Sequence, residues 1–233
     1  MNDSLQSARK KALLAGASGL IGSELCKLLV ASPFYEQVTV LARRPLGEEI
    51  MRERGTEKLR MVTLDFDDLH RYKEEFQVDD VFCCLGTTMK KAKSKALFEH
   101  IDLHYPVELA SMAKSGGASM FAVVSAMGAD PGSILFYNRV KGCLERKLSG
   151  MRLRKLIIVR PSLLLGRRKE LRIGERVAAV LAKPLAALLV GPLRKYRPIA
   201  ATQVAAAMFA LAQTDNDAAV AVYSSDQLAA LVQ

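Results

Sequence analysis

Short apolar runs alternate with segments that carry apolar residues at helical spacing between residues 11 and 160 of this chain. The apolar runs predict β-strands, and the periodic segments between them predict amphipathic helices. Strands separated by helices are typical of a parallel sheet, because each connection must cross back to the same end of the sheet. The predicted strands are residues 38–42, 59–64, 80–85, 120–125 and 156–159, and the predicted helices are residues 20–31, 94–114 and 134–148.

The pattern changes after Arg160 and Pro161. Residues 167–212 are predicted to be mainly helical, and residues 218–223 could add a late strand. The chain has 233 residues, half of them hydrophobic, which suits one domain with a sizeable core. We therefore expect an α/β fold, a doubly wound parallel sheet of the Rossmann type over residues 1–233. Within it, residues 161–217 are expected to form a small, mainly helical cap on the substrate side.

Residues 177–191 are strongly apolar, yet they are too few to cross a bilayer and include Lys183 and Pro184. Basic residues flank the segment, so a helix that contacts a membrane surface is one interpretation. We favour a cap that packs over the substrate end of the sheet, because membrane-surface helices usually have a cleaner charged face.

Charge and cysteine content narrow the range of functions. The net charge of +10 suits an acidic partner such as a phosphorylated cofactor. The basic residues are not interleaved with aromatic residues, so no nucleic acid is expected as a partner. The four cysteines form no C-x-x-C pair, which argues against structural zinc and for a reducing, cytoplasmic location. Arg9, Lys10 and Lys11 precede an apolar run, but glycines interrupt it after four residues, so we expect no signal peptide.

A glycine-rich loop lies between the first apolar run and the first predicted helix. Three glycines, each separated from the next by two residues, let the backbone turn sharply, approach a ligand closely and pack the helix on the strand. The N–H groups and positive dipole end of that helix would then face a pyrophosphate. The strand–loop–helix context favours a dinucleotide site over a plain turn. The expected binding residues are Gly16, Ser18, Gly19, Leu20, Ile21 and Gly22.

The second predicted strand ends at Ala42 and is followed by Arg43 and Arg44. An acidic residue near this place would bond the ribose 2′-hydroxyl of NAD, and none is present. Two guanidinium groups suit the 2′-phosphate of NADP(H), to which they can form charge-assisted bidentate bonds. We therefore predict NADP(H) as the cofactor, with a solvated basic turn as the alternative.

Two further predicted strands end at the same edge of the sheet. Asp65 and Phe66 follow the third strand, where a side chain could flank the adenine, although Asp65 equally suits a helix N-cap. A glycine and small hydroxyl residues at the end of the fourth strand would let the backbone approach the cofactor. These residues are Leu85, Gly86, Thr87 and Thr88.

Ser125 closes the fifth predicted strand, and Tyr137 and Lys141 follow on the next predicted helix. Residues four apart share a helix face, so Tyr137 and Lys141 can point together into the cleft. A nearby ammonium lowers the pKa of a phenol from about 10, which improves the phenol as an acid–base group. Ser125 could donate a hydrogen bond to a substrate carbonyl oxygen while Tyr137 transfers the proton, and Lys141 could hold the nicotinamide ribose. The alternative is an ordinary exposed helix face.

His100 and His104 lie four residues apart on a long predicted helix. A metal site needs further ligands, and the sequence places no third ligand beside them. We expect a structural role for both, and no metal site.

The chain resembles the short-chain dehydrogenase/reductase family over nearly its whole length, and the spacing of Gly16, Gly19 and Gly22 resembles the extended and atypical branches of that family. Four further blocks are similar to the Tat-interacting-protein-like atypical subgroup, namely VFCCLGTT (81–88), VSAMGA (124–129), YNRVK (137–141) and RPSLLLG (160–166). The resemblance implies NADP(H) binding, catalytic Ser125, Tyr137 and Lys141, and a nicotinamide that lies close to Pro161 and Ser162.

The sequence departs from the family pattern at two places. Asp102 stands where many relatives have a catalytic asparagine on the helix before the fifth strand. The residues Leu85 to Thr88 replace an Asn-Ala-Gly block that is common after the fourth strand.

Our leading hypothesis is an NADPH-dependent oxidoreductase that acts on a carbonyl or hydroxyl group of a small-molecule substrate. The alternative is a cofactor-sensing regulator or assembly factor that binds NADPH and then a protein partner. A third hypothesis, epimerisation of sugar nucleotides, expects a larger substrate domain than the residues after Pro161 supply. The long helices could pair two copies of the chain as a homodimer.

Overall fold

The computed structural model describes residues 9–165, 191–214 and 218–232. Seven parallel strands form its main sheet, in the order β3-β2-β1-β4-β5-β6-β9. The strands of the described residues are β1 (Lys10–Ala15), β2 (Tyr35–Ala42), β3 (Leu59–Thr63), β4 (Asp80–Cys83), β5 (Met120–Val124), β6 (Leu156–Arg160), β7 (Leu164–Leu165), β8 (Ile199–Ala200) and β9 (Val220–Ser224). Because the chain winds outwards in both directions from β1 and β4, a crevice forms at their carboxyl ends.

Helices cover both faces of this sheet. The α-helices of the described residues are α1 (Leu20–Ala31), α2 (Glu48–Met51), α3 (Met89–Ala92), α4 (Lys95–Glu99), α5 (Tyr105–Ser115), α6 (Phe136–Gly150), α7 (Ala201–Gln213) and α8 (Ser225–Ala230). Shorter 3-10 segments span Thr56–Lys58, Phe66–Phe76 and Gly191–Tyr196, and a π-helical turn spans His100–His104.

Alternating residues of the strands divide the core into two layers. In β1, Leu14 packs with Leu25 of α1 and Met208 of α7 on one face. Leu13 packs with Leu109 of α5 and other apolar residues on the opposite face. A strand whose side chains are buried on both faces needs apolar residues at every position, which explains the continuous apolar runs of the sequence.

The predicted doubly wound parallel sheet is confirmed. The late strand expected at residues 218–223 is β9, which pairs with β6 at the edge of the sheet. The helix predicted at residues 94–114 is two helices, α4 and α5, joined by the π-helical turn. A single amphipathic pattern runs through all three segments, so periodicity alone does not reveal the change of helix type.

The predicted cap differs from the structure at one end. The prediction assigned residues 161–217 to the cap, but α7 lies against α1 and covers one face of the main sheet. Residues 166–190 and 215–217 of the predicted cap lie outside the described residues, as do residues 177–190 of the segment considered for membrane contact. Within the described ranges, no helix combines the length and the apolar character needed to cross a bilayer.

Candidate active site

Three loops meet at the carboxyl edge of the sheet, because β1, β4 and β5 are parallel neighbours. The glycine loop follows β1, residues 84–88 follow β4, and Ser125 begins the loop after β5. Pro161 follows β6 at the same edge, and its carbonyl accepts a hydrogen bond of 3.1 Å from the Met127 N–H. The topology thus brings together the loops that the sequence selected as candidate sites.

The glycine loop is packed too closely for side chains. Gly16 has a φ of +92°, and a Cβ on it would lie 2.5 Å from the Cys84 carbonyl oxygen. A Cβ on Gly22 would lie 2.1 Å from the Gly16 carbonyl oxygen, which also accepts a 3.0 Å hydrogen bond from the Gly19 N–H. The first and third glycines are therefore required by backbone conformation and by helix packing.

The N-terminus of α1 has the features of an anion site. Gly19 precedes the helix, no side chain of the described residues caps it, and its first turn contains no acidic residue. Uncapped N–H groups at the positive end of a helix dipole favour a phosphate. The loop and helix together fit the pyrophosphate of a dinucleotide.

Arg43 and Arg44 are both exposed directly after β2. Neither forms an ion pair with another residue of the described ranges. Arg43 lies near Tyr105. Burial and the neighbouring Asp67 raise the pKa of that phenol, and the Arg43 guanidinium acts in the opposite direction. Two guanidinium groups are thus presented at the edge where an adenosine ribose would lie.

The structure separates the roles of Asp65 and Phe66. The Asp65 carboxylate accepts a 3.2 Å hydrogen bond from the Asp67 N–H and caps the following 3-10 helix, which is the alternative considered for it. The Phe66 side chain is buried in the core, with its ring centroid 5.4 Å from that of Tyr105. Phe66 therefore cannot flank an adenine in this conformation, because its apolar ring is already packed against α5.

His100 takes part in a local structural contact. Its Nε2 lies 2.7 Å from Asp67 Oδ1, which also accepts a 2.8 Å hydrogen bond from the Tyr105 hydroxyl. These two bonds lower the pKa of Asp67. The contact joins the π-helical turn to the 3-10 helix after β3.

Lys141 is buried at the carboxyl edge beside Asp102. Its Nζ lies 2.9 Å from Asp102 Oδ1 and donates a longer bond of 3.4 Å to the Val124 carbonyl. Burial is the largest single effect and lowers the pKa of Lys141, but the Asp102 carboxylate and the smaller effects of Tyr137 and Cys83 together outweigh it, so the pKa of Lys141 is raised. Lys141 is therefore held as a cation within the protein.

Tyr137 lies one turn before Lys141 on α6, and 43% of its surface is exposed. Its ring meets Phe98 of α4 edge-on, with a centroid distance of 5.9 Å. Tyr137 also contributes to the electrostatic environment of Lys141, so the two side chains lie near each other. An accessible phenol beside a buried cation is an arrangement that suits proton transfer.

The Ser125 hydroxyl does not face the cleft as a free donor. Ser125 is 3% exposed, and its hydroxyl donates a short hydrogen bond to Glu145 of α6. Arg160 of β6 holds the same carboxylate through its Nε at 3.0 Å and through a shorter bond from Nη2. A serine hydroxyl has one proton, so the predicted bond to a substrate oxygen is not formed by this conformation of Ser125.

Glu145 and Arg160 are site residues to which the sequence analysis gave no role. The signal for Glu145 was present, since it lies four residues after Lys141 and extends the spacing of Tyr137 and Lys141 along one face of α6. The contact of Glu145 with Arg160 of β6 could not be predicted from any local spacing. Their ion pair joins α6 to β6, and the Ser125 hydrogen bond joins the same carboxylate to the loop after β5.

A doubly wound parallel sheet with a glycine loop and an uncapped helix at its switch point defines a nucleotide-binding protein of the Rossmann type. The chain belongs to the NAD dependent epimerase/dehydratase family, whose model matches residues 12–223. Its relatives support the resemblance to the Tat-interacting-protein-like subgroup. Protein HTATIP2 of Rattus norvegicus is 35% identical over 153 residues, which are 65% of this chain and 62% of that protein.

A second relative is Protein FMP52, mitochondrial, of Debaryomyces hansenii, which is 32% identical over 141 residues. The match covers 59% of this chain and 59% of that protein, so this chain spans about three fifths of the relatives it resembles.

Solved structures share the fold at low sequence identity. WbmG of Bordetella bronchiseptica in complex with NAD has a TM-score of 0.67 and 14% identity, over 95% of this chain and 74% of that one. The UDP-Glc/GlcNAc 4-epimerase of Campylobacter jejuni has a TM-score of 0.68 and 16% identity, over 94% of this chain and 82% of that one. These likenesses establish the fold.

Proposed function

We propose that this protein is an NADPH-dependent oxidoreductase of the atypical short-chain dehydrogenase/reductase type. It would transfer a hydride between NADP(H) and a carbonyl or hydroxyl group of a small substrate. The observation that carries the proposal is the exposed phenol of Tyr137 beside the buried ammonium of Lys141, at the same edge of the sheet as the glycine loop.

Tyr137 is the acid–base group of the proposed reaction. The bound cofactor supplies the hydride in reduction and accepts it in oxidation. In reduction the carbonyl carbon gains the hydride, and the Tyr137 phenol gives its proton to the carbonyl oxygen. In oxidation the phenolate takes the hydroxyl proton. The positive charge of Lys141 favours the phenolate, and general acid–base catalysis of this kind contributes about 10²–10⁴ in rate.

The remaining site residues bind the cofactor or support the structure of the site. Gly16 to Gly22 would hold the pyrophosphate, residues 85–88 would approach the cofactor through their backbone, and Pro161 would contact the nicotinamide. We assign the hydrogen bond to the substrate oxygen to Tyr137, because the Ser125 hydroxyl already donates its one hydrogen bond to the Glu145 carboxylate. Ser125 then supports the site by joining β5 to α6.

Arg43 and Arg44 support NADP(H) over NAD(H). Calorimetric titration should show that the wild-type protein binds NADPH at least about tenfold more tightly than NADH. The double variant Arg43→Ala/Arg44→Ala should lose about 100-fold in NADPH affinity and keep its NADH affinity, because two charge-assisted bonds are removed. Arg52→Ala is the matched control, since Arg52 is an exposed arginine paired with Glu48. Equal wild-type affinities for the two cofactors would contradict the preference.

A panel of substrates tests turnover. Aldehydes and ketones with NADPH are expected to be reduced, and the panel includes UDP-hexoses, because the Campylobacter jejuni relative in fold is a 4-epimerase of such compounds. If the wild type and Tyr137→Phe both bind NADPH tightly and neither turns over any member, the cofactor-sensing alternative gains. Epimerised UDP-hexose without net reduction would favour the third hypothesis.

Location and assembly are separate proposals. All four cysteines are unpaired, which supports a reducing compartment and a cytoplasmic location. Fractionation of cells tests this, and enrichment in mitochondria, as the name of the FMP52 relatives suggests for them, would contradict it. A homodimer stays a prediction that light scattering on the purified chain can decide.

A further inference from the structure

The segment that follows the loop after β4 is strongly basic. Residues 89–95 read MKKAKSK, and the four lysines within residues 90–95, here called the basic segment, are all exposed. The sequence has no acidic residue between positions 86 and 98. In the ranges that the structure describes, Lys90, Lys93 and Lys95 form no ion pair with a carboxylate. Like charges this close together repel one another and attract an anion.

Lys93 has an unfavourable backbone conformation. It ends α3 with a φ of +61°, in the left-handed region, and its N–H donates a 2.9 Å hydrogen bond to the Met89 carbonyl. Glycine adopts this conformation without a steric penalty, whereas a lysine there costs stability. The Lys93 ammonium has no ion pair or aromatic ring partner among the described residues that would offset this cost. Such strain is concentrated at functional sites, which gives a second reason to assign a binding role to this ammonium.

The basic segment lies beside Tyr137. The Phe136 ring has two cations near it, with the Lys95 Nζ at 5.5 Å and the Arg139 guanidinium carbon at 5.8 Å from its centroid. The Phe98 ring of α4 lies 5.5 Å from Phe136 and 5.9 Å from Tyr137. Because α4 packs on the first turn of α6 through these rings, its charges are placed next to the exposed phenol.

Large apolar side chains are exposed on the same surface. Ile134 and Leu135, directly before α6, are 96% and 65% exposed, and Met89 of α3 and Leu97 of α4 are exposed as well. The Arg139 guanidinium donates a 3.2 Å hydrogen bond to the Ile134 carbonyl, which fixes this loop at the start of α6. Exposed apolar groups that lie together, with charged groups around them, mark a ligand-binding surface.

We propose that the substrate of this site is an apolar carbonyl compound with a phosphate group at its other end. Leu135 and the neighbouring apolar side chains contact its hydrocarbon part, and the ammonium groups of the basic segment bind the phosphate. A phosphate monoester has close to two negative charges at pH 7, and a lysine binds it as a point charge without requiring one orientation. The inference rests on the proposed function, since it takes Tyr137 as the reacting group, but the binding itself requires no turnover.

Octyl phosphate is a probe that contains both parts of this ligand and no carbonyl group. We expect calorimetric titration of the NADPH-loaded protein, below the concentration at which the probe forms micelles, to show binding at least about tenfold tighter than that of octanoate or inorganic phosphate. Lys93→Gly should weaken octyl phosphate binding about fivefold, because one cation is removed. Leu135→Ser should weaken it by a similar factor and leave the binding of inorganic phosphate unchanged.

Arg152→Gly is the matched control for Lys93→Gly. Arg152 is the other exposed cation with a positive φ, +55°, among the described residues, but it lies between α6 and β6 at the opposite edge of the sheet. Both substitutions relieve backbone strain and should raise the free energy of unfolding, so both variants are expected to fold. Arg152→Gly should leave octyl phosphate affinity unchanged. Equal losses in the two variants would overturn the proposal, as would unchanged affinity in Lys93→Gly or equal binding of octanoate and octyl phosphate.

Turnover of two aldehydes separates this inference from the proposed function. The KM for 8-oxooctyl phosphate should be about tenfold below that for octanal in the wild type, and Lys93→Gly should reduce this difference. Reduction of octanal by a protein that does not bind octyl phosphate would overturn this inference alone. Binding of octyl phosphate that depends on Lys93, without reduction of either aldehyde, would support the phosphate site and defeat the proposed reaction.

A membrane surface is the competing occupant of this face, because anionic lipids also combine phosphate with hydrocarbon. Sedimentation with vesicles of phosphatidylglycerol and phosphatidylcholine tests it, with vesicles of phosphatidylcholine alone as the comparison. Lys93-dependent binding to the anionic vesicles, without binding of monomeric octyl phosphate, would overturn the proposal. Binding of monomeric octyl phosphate without sedimentation would support it.

Discussion

The two edges of the sheet each contain an aspartate, a lysine and a tyrosine near one another, and the two sets differ in arrangement and in the burial of the tyrosine. At the amino edge, Asp80 accepts a 2.7 Å hydrogen bond from the Tyr35 hydroxyl and pairs with Lys10. Tyr35 is fully buried, and its hydroxyl also accepts a 2.9 Å bond from Gln213. At the carboxyl edge, Asp102 bonds Lys141 and the Thr87 N–H, and Tyr137 is left accessible.

This difference shows why residue types alone do not make an acid–base site. Burial and the Asp80 carboxylate raise the pKa of Tyr35 far above its ordinary value, so this phenol stays protonated. At the carboxyl edge the carboxylate contacts the lysine instead, and the tyrosine is adjacent to the cation. A buried phenol that donates to a carboxylate is a structural group, whereas an accessible phenol beside an ammonium can exchange a proton.

The largest expected effect is a loss of turnover when Tyr137, but not Tyr35, is substituted. Tyr137→Phe should lower kcat by about 10³, because the proton donor to the substrate oxygen is removed. Calorimetric NADPH affinity should change little, since the phenol hydroxyl is one of many contacts. The measurement is steady-state turnover with whichever carbonyl compound the panel identifies as a substrate.

Tyr35→Phe is the control for this variant. It should leave kcat unchanged and reduce the free energy of unfolding by about 1–3 kcal/mol, because Asp80 loses a buried hydrogen-bond donor. A large loss of kcat in Tyr35→Phe with normal stability would contradict the assignment of Tyr35 as a structural residue and Tyr137 as the acid–base group.

The parts of the site that the sequence predicts are those built from local spacing. Gly16 to Gly22 follow from a strand, a loop and a helix in succession, and Tyr137 and Lys141 follow from one helix face. Asp102 is far from Lys141 in the chain, and their contact arises when α6 packs beside the π-helical turn. The orientation of the Ser125 side chain could not be predicted from the sequence either. The side chain of a residue just past the end of a strand can turn to either side. Here the Ser125 side chain turns towards α6, because the Glu145 carboxylate accepts its hydrogen bond.

A smaller effect is expected for Ser125→Ala. The variant removes one donor from the buried Glu145 carboxylate and should reduce the free energy of unfolding by about 1–3 kcal/mol in urea. The kcat should fall less than about tenfold, which is below the contribution of a proton-transferring group. Ser115→Ala is the control, since that hydroxyl is exposed and bonds only the Ser111 carbonyl on its own helix among the described contacts. A loss of kcat as large as that of Tyr137→Phe would contradict this expectation and indicate that Ser125 bonds the substrate oxygen.

The smallest effect is a difference in pH dependence between the two buried pairs. Burial raises the pKa of Asp80 above 3.8, so its contribution to stability is fully present below that pH and is lost as the pH rises through the folded value. The wild type should therefore lose stability relative to Asp80→Asn as the pH rises from about 4 towards neutrality. Lys141 also has a raised pKa, but its ordinary value is 10.5, so its contribution is lost only above that pH.

Denaturant titrations of wild type, Asp80→Asn and Asp102→Asn/Lys141→Met between pH 4 and pH 9 test this contrast. The difference between wild type and the double variant should change less over the range, because that variant contains neither charge of the pair and Lys141 is charged in both the folded and the unfolded wild-type chain. The difference between wild type and Asp80→Asn should change with pH. If the difference in unfolding free energy between wild type and Asp80→Asn did not change with pH, the charge of the Asp80 carboxylate would be as well compensated as that of the pair at the carboxyl edge. Asp80 Oδ1, which is buried without a hydrogen-bond partner among the described residues, argues against that result.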